Sequence, residues 1–141
     1  MRALLDLSLH YGEGSVRIQD VADRQNIPIK YLQQIMLSLK SAGFVESRKG
    51  PGGGYALARP PEEITLAAVW RATDGPIAPT SCVSVYRRGE CGCPEPDSCA
   101  LRRAFFQVRE AMVAVLERTT FADLRAWNGV RIEDLSEAFV T

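Results

Sequence analysis

Histidine is nearly missing from this chain. His10 is the only one among 141 residues. It falls in an apolar N-terminal stretch and reads as a partly buried surface residue rather than a ligand. Net charge is missing too, because 17 basic residues balance 17 acidic ones. The overall balance therefore gives no argument for a polyanionic partner. No apolar run approaches the ~20 residues that a bilayer-spanning helix needs. Met1 is followed by Arg2-Ala3-Leu4-Leu5-Asp6, which has an early acid and no signal-peptide cleavage pattern. These absences predict a cytoplasmic protein without a membrane segment. There is no nucleotide-binding motif, second substrate site or acid/base constellation, so the sequence predicts no enzyme.

What is present is an ordinary globular composition, 46% apolar, in a length that suits one compact domain or a small domain plus an oligomerisation element. The most distinctive stretch is Arg48-Lys49-Gly50-Pro51-Gly52-Gly53-Gly54-Tyr55. Two cations open a glycine-filled loop and an aromatic closes it. The stretch before it, residues 29–42, reads as a helix with a polar outer face. A helix followed by a hairpin with a basic tip is how a winged helix-turn-helix meets DNA. The local charge agrees. From Arg24 to Arg59 there are six basic residues, including Lys30, Lys40, Arg48 and Lys49, against one acid, Glu46. That excess suits a phosphate-binding face.

The rest of the chain supports a mainly α fold with a small β-wing. Residues 3–10 are helical, with Leu4, Leu5, Leu7 and Leu9, and Gly12 and Gly14 break the run. A second helix covers residues 18–24 with Ile18, Val21 and Ala22 at core spacing. Gln25-Asn26-Ile27-Pro28 is the turn: Asn26 tolerates a left-handed backbone, and Pro28 suits the first turn of the next helix. The third helix carries Leu32, Ile35, Met36 and Leu39 on one face, with Lys30, Tyr31, Gln33, Gln34 and Ser38 mainly elsewhere. Gly43 is placed to stop it. Residues 44–47 and 55–58 read as two short strands around the glycine loop. Thr65 can cap a fourth helix whose buried stripe is Leu66, Val69, Trp70 and Thr73.

Residues 75–98 have turn composition, with prolines at 76, 79, 94 and 96. A connection of that length in a small domain is functional or disordered. Four cysteines lie there or at its end: Cys82, Cys91, Cys93 and Cys99. In a reducing compartment such a group points to metal binding or redox chemistry, not to a disulfide framework. Residues 101–118 form a long helix with a coiled-coil-like seam of Leu101, Phe105, Val108, Met112 and Val115. Ala111, Val113, Ala114 and Leu116 make further faces apolar, and a second subunit is the simplest cover. Residues 121–127 suit one more short helical turn.

Four stretches resemble the IscR/NsrR type of bacterial winged-helix regulators. They are Val21-Ala22-Asp23-Arg24-Gln25, Tyr31-Leu32-Gln33-Gln34-Ile35, the wing Arg48 to Tyr55, and Ile64-Thr65-Leu66. The resemblance runs from Arg2 to about Leu124. It implies a winged helix-turn-helix domain over 1–75, a cysteine loop over 76–100, and a dimerisation helix with a C-terminal tail over 101–141. It further implies a homodimer on a palindromic double-stranded DNA operator, acting as a transcriptional regulator, more often a repressor. Lys30, Tyr31, Gln33, Gln34, Arg48, Lys49, Gly50, Gly52, Gly53 and Tyr55 would form the DNA-binding set. Many members of that type carry a 2Fe–2S cluster on three cysteines before the long helix.

By that resemblance the metal ligands would be Cys82, Cys93 and Cys99, with Cys91 a possible fourth. Five residues separate Cys93 from Cys99, as they do the last two ligands of cluster-binding members. The gap from Cys82 to Cys93 is longer than in the best-known members, and Cys91 lies inside it. Arg102 stands where some members have a histidine ligand. Others draw a ligand from the extreme N-terminus, and this chain starts about ten residues into the pattern. Zinc fits less well, since Cys91 and Cys93 are one residue apart and zinc ligands usually pair at wider spacing. A thiol or disulfide redox switch on the same DNA-binding dimer stays open, as does an electron-transfer iron–sulfur protein.

Overall fold

The computed structural model describes residues 1–85 and 92–131. The architecture is mainly helical with a two-stranded wing, as the sequence predicts. In chain order the elements are α1 (Arg2–Leu9), α2 (Ile18–Gln25), α3 (Ile29–Ser41), β1 (Val45–Arg48), β2 (Gly54–Leu57), α4 (Leu66–Thr73), α5 (Ala100–Arg118) and α6 (Phe121–Trp127). The strands are antiparallel, with Val45 opposite Leu57 and Arg48 opposite Gly54.

The core takes one stripe from each element of the head. Leu4 and Leu7 of α1, Val21 of α2, Leu32, Met36 and Leu39 of α3, and Val69 of α4 are buried together with Val45 and Leu57 of the wing strands. Each such side chain contributes about 1.5–3 kcal/mol, which is why the three- and four-residue spacing of α3 decides which face points outward. The turn between α2 and α3 is tight. Asn26 has φ +49, and its amide and that of Ile27 close the end of α2, the latter on the carbonyl of Ala22 at 2.9 Å. Pro28 precedes α3 as its cap residue instead of lying within the first turn. Gly43, at φ +76, lets the chain turn from α3 into the wing.

One feature departs from the sequence reading. The buried residues of α4 are Ala67 and Val69, while Leu66 and Trp70 are half-buried and Thr73 is exposed. α4 is only two turns long, and its last turn runs out to solvent, where the Thr73 hydroxyl turns back to the Val69 carbonyl at 3.0 Å. α6 forms over Phe121–Trp127, where the sequence places a short helical turn. Thr120 caps it through the Asp123 amide, and Asp123 returns the bond to the Thr120 amide, a reciprocal box. Those bonds hold the Asp123 carboxyl below the usual carboxylate range. Phe121 then enters the core fully buried, its amide on the Ile64 carbonyl at 2.9 Å, while the Leu66 amide bonds the Thr119 carbonyl at 2.9 Å. α6 packs on α1. The chain leaves the head before α5 and rejoins it directly afterwards, so both ends of the region around α5 are anchored to one core.

Candidate nucleic-acid interface and cysteine pocket

α3 presents Lys30, Tyr31, Gln33 and Gln34 to solvent, opposite its buried Leu32, Met36 and Leu39. Among the described residues, the side chains of Lys30, Gln33 and Gln34 make no hydrogen bond or ion pair. Two amides and one ammonium are thus displayed on a rigid scaffold with their bonding capacity unspent.

The wing joins α3 through a short connection, across which the Lys40 ammonium donates to the Ser47 hydroxyl at 2.5 Å. At the tip Arg48 and Lys49 are exposed; Arg48 reaches Glu46 at 3.2 Å, and both partners of that pair are in water. The glycines have separate reasons. Gly50 has φ +104, and its carbonyl accepts the Gly53 amide at 2.9 Å. A Cβ on Gly53 would lie 2.4 Å from the Arg48 carbonyl oxygen, whereas one on Gly52 would meet nothing within 4 Å. Tyr55 lies opposite Ser47, one pair in from the tip end of the strands, half-buried against the core, and its amide and carbonyl exchange two 2.8 Å bonds with Val16. The segment before α2 therefore braces the hairpin as a third, one-residue strand. Gly54 makes this possible, since a Cβ there would stand 2.2 Å from the Val16 carbonyl oxygen. Neither Val16 nor Gly54 stands out in the sequence for this role.

The basic stretch is less uniform than its count suggests. Arg24 is bound to the buried Asp6, and Arg59 lies over the Phe44 ring at 5.1 Å from its centroid. Those two cations hold the head together, leaving Lys30, Lys40, Arg48 and Lys49 as the outward charges of the stretch.

The cysteines divide. Cys82 lies in a short 3-10 turn, Ser81–Val83, half-buried, with its sulfur 3.2 Å from the Thr80 hydroxyl. Cys99 stands at the N-cap position of α5, where its side chain makes no capping hydrogen bond, and is also half-buried. Both thiols line one cavity of about 360 Å³, together with Arg102, Arg103, Phe106 and Arg109. Cys93 is exposed, and Cys91 lies outside the described residues. Arg102 donates to the Pro96 carbonyl at 3.1 Å, pinning the loop to α5. Arg109 pairs with Glu110, yet its buried Nε finds no acceptor among the described residues. A buried donor without a partner is costly, and this one lies in the wall of a cavity that carries two thiols. Among the described residues no three His, Cys, Asp or Glu side chains converge as a metal site. The guanidinium wall was not legible in the sequence, because the face of α5 that meets the loop depends on where the loop folds.

α5 itself has no buried residue. Leu101 is 69% exposed and Phe106 53%, and Phe105, Val108 and Val115 are also open to solvent. For a 19-residue helix this is a large exposed apolar surface. No described helix is long and apolar enough to cross a membrane.

Comparison with known proteins agrees with this architecture. The Rrf2 family, described as "Iron-dependent Transcriptional regulator", matches residues 1–126. The HTH-type transcriptional regulator IscR of Serratia proteamaculans is 36% identical over 122 residues, 86% of this chain and 71% of that protein. The IscR of Aliivibrio salmonicida is 33% identical over 129 residues, covering 92% and 74%. Among solved structures, CymR, the global cysteine regulator of B. subtilis, superposes with a TM-score of 0.74 at 31% identity over 88% of each chain. T. potens IscR superposes with a TM-score of 0.69 at 29% identity, over 98% of this chain and 83% of that one. With the helix-turn-helix, the braced wing and the long exposed helix in place, the chain belongs to the Rrf2 family of DNA-binding transcriptional regulators.

Proposed function

We propose that two copies of this chain pair along α5 and bind a palindromic operator, with α3 in the major groove and the wing tip on phosphates or in a narrow minor groove. The observation that carries this reading is the unspent polar face of α3, Lys30, Tyr31, Gln33 and Gln34, next in the chain to a braced hairpin whose tip is Arg48 and Lys49. An amide can pair bidentately with adenine, which assigns base reading to Gln33 or Gln34. Gly50, Gly52 and Gly53 shape the tip, and Tyr55 anchors it. The exposed seam of α5 supports the dimer. The test is binding of the whole chain to a random duplex library. Gln33→Ala is expected to change preference at one base pair by about 1–3 kcal/mol. Lys49→Ala is expected to weaken binding to all sequences and lower the salt slope by about one unit. A chain that binds no duplex at low salt refutes the reading.

We further propose that Cys82, Cys93 and Cys99 hold a 2Fe–2S cluster, with Cys91 as spare or fourth ligand. What supports it is donor chemistry. Thiolates are soft anionic ligands suited to iron, and two of the three share a cavity walled by guanidinium groups, one with a buried Nε that finds no acceptor among the described residues. Bound there, the group would supply a centre whose charge and presence respond to redox state or iron supply. Cys99 directly precedes the first residue of α5, so fixing or releasing its sulfur would alter the start of the helix that would set the spacing of the two heads. A change in operator affinity then requires that the two dimer geometries differ in affinity for the group.

A second reading keeps the DNA-binding dimer and uses thiols alone. The observation that favours it is the pairing of Cys82 and Cys99 as free thiols on one cavity, with no third ligand group converging among the described residues. Iron and sulfide analysis after anaerobic purification separates the two. A coloured protein supports the cluster, and a colourless one supports the thiol switch.

A further inference from the structure

Leu37 lies in the middle of the outward face of α3. It is 61% exposed, the more exposed of the two large apolar side chains that α3 leaves open. It follows Lys30 by seven residues, two full turns, and sits one turn beyond Gln33 and Gln34. It therefore shares the face opposite Leu32, Met36 and Leu39, and its neighbours there are polar. A single exposed leucine is common on a helix, but this one stands on the face that the proposed function turns toward DNA. In the major groove the one apolar feature on a base edge is the C5-methyl of thymine. An adenine–thymine pair offers both things this face can read: an adenine edge for an amide, and a methyl for an aliphatic side chain.

We propose that Leu37 is a specificity-determining residue that packs on a thymine methyl within each half-site. This rests on the placement of α3 in the major groove. It adds to that placement a direct apolar contact and a preference for thymine at one position. Exposed on a helix whose core face is complete, Leu37 can be changed without disturbing the fold.

The test uses the whole chain. Duplexes are first selected from a random library by the wild type, and each thymine of the selected site is then replaced by deoxyuridine, which removes only the methyl. One thymine per half-site is expected to matter, its replacement weakening wild-type binding about fourfold, the factor for losing one buried methyl-sized group. Leu37→Ala is expected to bind the thymine and deoxyuridine duplexes alike, with unchanged circular dichroism. Leu37→Ser serves as a second variant should the alanine protein misfold. The proposal is overturned if no thymine of the wild-type site responds, or if both variants keep the wild-type ratio of thymine to deoxyuridine affinity. Loss of self-association in the variants with that ratio intact overturns it too, by assigning Leu37 to a protein contact. A wild type that selects no sequence refutes the operator reading itself, whereas selection without methyl dependence refutes only the role of Leu37.

Discussion

Asp6 and Arg24 form a bidentate pair that locks α1 to α2. The Arg24 Nε donates to Oδ1 at 2.9 Å and Nη2 to Oδ2 at 2.7 Å, while the Gln25 amide adds a third bond at 3.1 Å. The aspartate is 1% exposed. Its surroundings act in opposite directions on the carboxyl. Burial pushes the pKa up, but the bonds from Arg24 and Gln25 and the guanidinium charge outweigh it, so the group titrates below its ordinary value.

The pair gives a stability prediction with a definite sign. A depressed folded pKa contributes stability above the unfolded value, near pH 4, and that contribution is lost as pH falls through the folded pKa. Asp6→Asn is expected to cost about 2 kcal/mol at pH 7, within the range for a charge-assisted hydrogen bond. The deficit relative to wild type should shrink as the pH is lowered toward 3. Urea unfolding across that range checks it. A deficit that stays constant with pH would mean that the Asp6 charge contributes nothing.

The wing depends on a close backbone approach, which leads to a prediction at Gly54. A methyl there would overlap the Val16 carbonyl oxygen at 2.2 Å, and both bonds between Val16 and Tyr55 would have to open. Gly54→Ala is expected to destabilise by about 1–3 kcal/mol, the usual cost of overpacking, and to weaken DNA binding more than that loss of folded protein explains. Gly52→Ala meets no atom within 4 Å and should leave stability nearly unchanged. Thermal melts alongside binding titrations of the two variants would decide. Equal effects would remove the brace from the account of the wing.

Much of the head was legible because its signals are local. The spacing of Leu32, Met36 and Leu39 dictates one buried face, the glycine run dictates a hairpin, and Asn26 and Thr65 mark a turn and a cap through their own side chains. What escaped reading is non-local. Nothing near Asp6 says that it will meet Arg24, eighteen residues on. Nothing near Phe121 says that it will return to a core built mostly before residue 70. Thr73 was misplaced because periodicity continues past the point where a two-turn helix leaves the core. The cavity at Cys82 and Cys99 has the same origin. The sequence shows the thiols, but only the fold sets Arg102, Arg103 and Arg109 around them.

The proposed dimer seam is best tested at Val108. It is 47% exposed in the single chain, whereas Met112 is half-buried within it. Val108→Asp therefore leaves the isolated fold intact but places a charge in the middle of a paired α5, where desolvation would be unfavourable. Sedimentation is expected to show a dimer for the wild type and a folded monomer for the variant. Operator affinity should fall with it, since a monomer loses one half-site. A Val108→Asp protein that remains dimeric would move the interface off this face of α5.

The cysteine assignments make the sharpest prediction. Cys99 and Cys82 share the cavity, and Cys99 also stands at the N-cap position of α5. In anaerobically prepared protein, Cys99→Ser and Cys93→Ser are each expected to abolish the visible absorption. Cys82→Ser should abolish or weaken it, and Cys91→Ser should spare it if that thiol is not a ligand. Serine keeps the size of the side chain while removing the soft, anionic sulfur that iron prefers, so loss of colour with unchanged circular dichroism reports ligation and not folding. Operator affinity measured on the same four variants then tests coupling. The variants that lose the absorption should converge on one affinity, different from that of the coloured wild type, and Cys91→Ser should track the wild type. A wild type that stays colourless after anaerobic reconstitution with iron and sulfide removes the cluster from the mechanism. In that event the expected switch is a disulfide between Cys82 and Cys99, the two thiols giving up two protons and two electrons to a peroxide, and mass mapping of peroxide-treated protein without reductant would detect the bond.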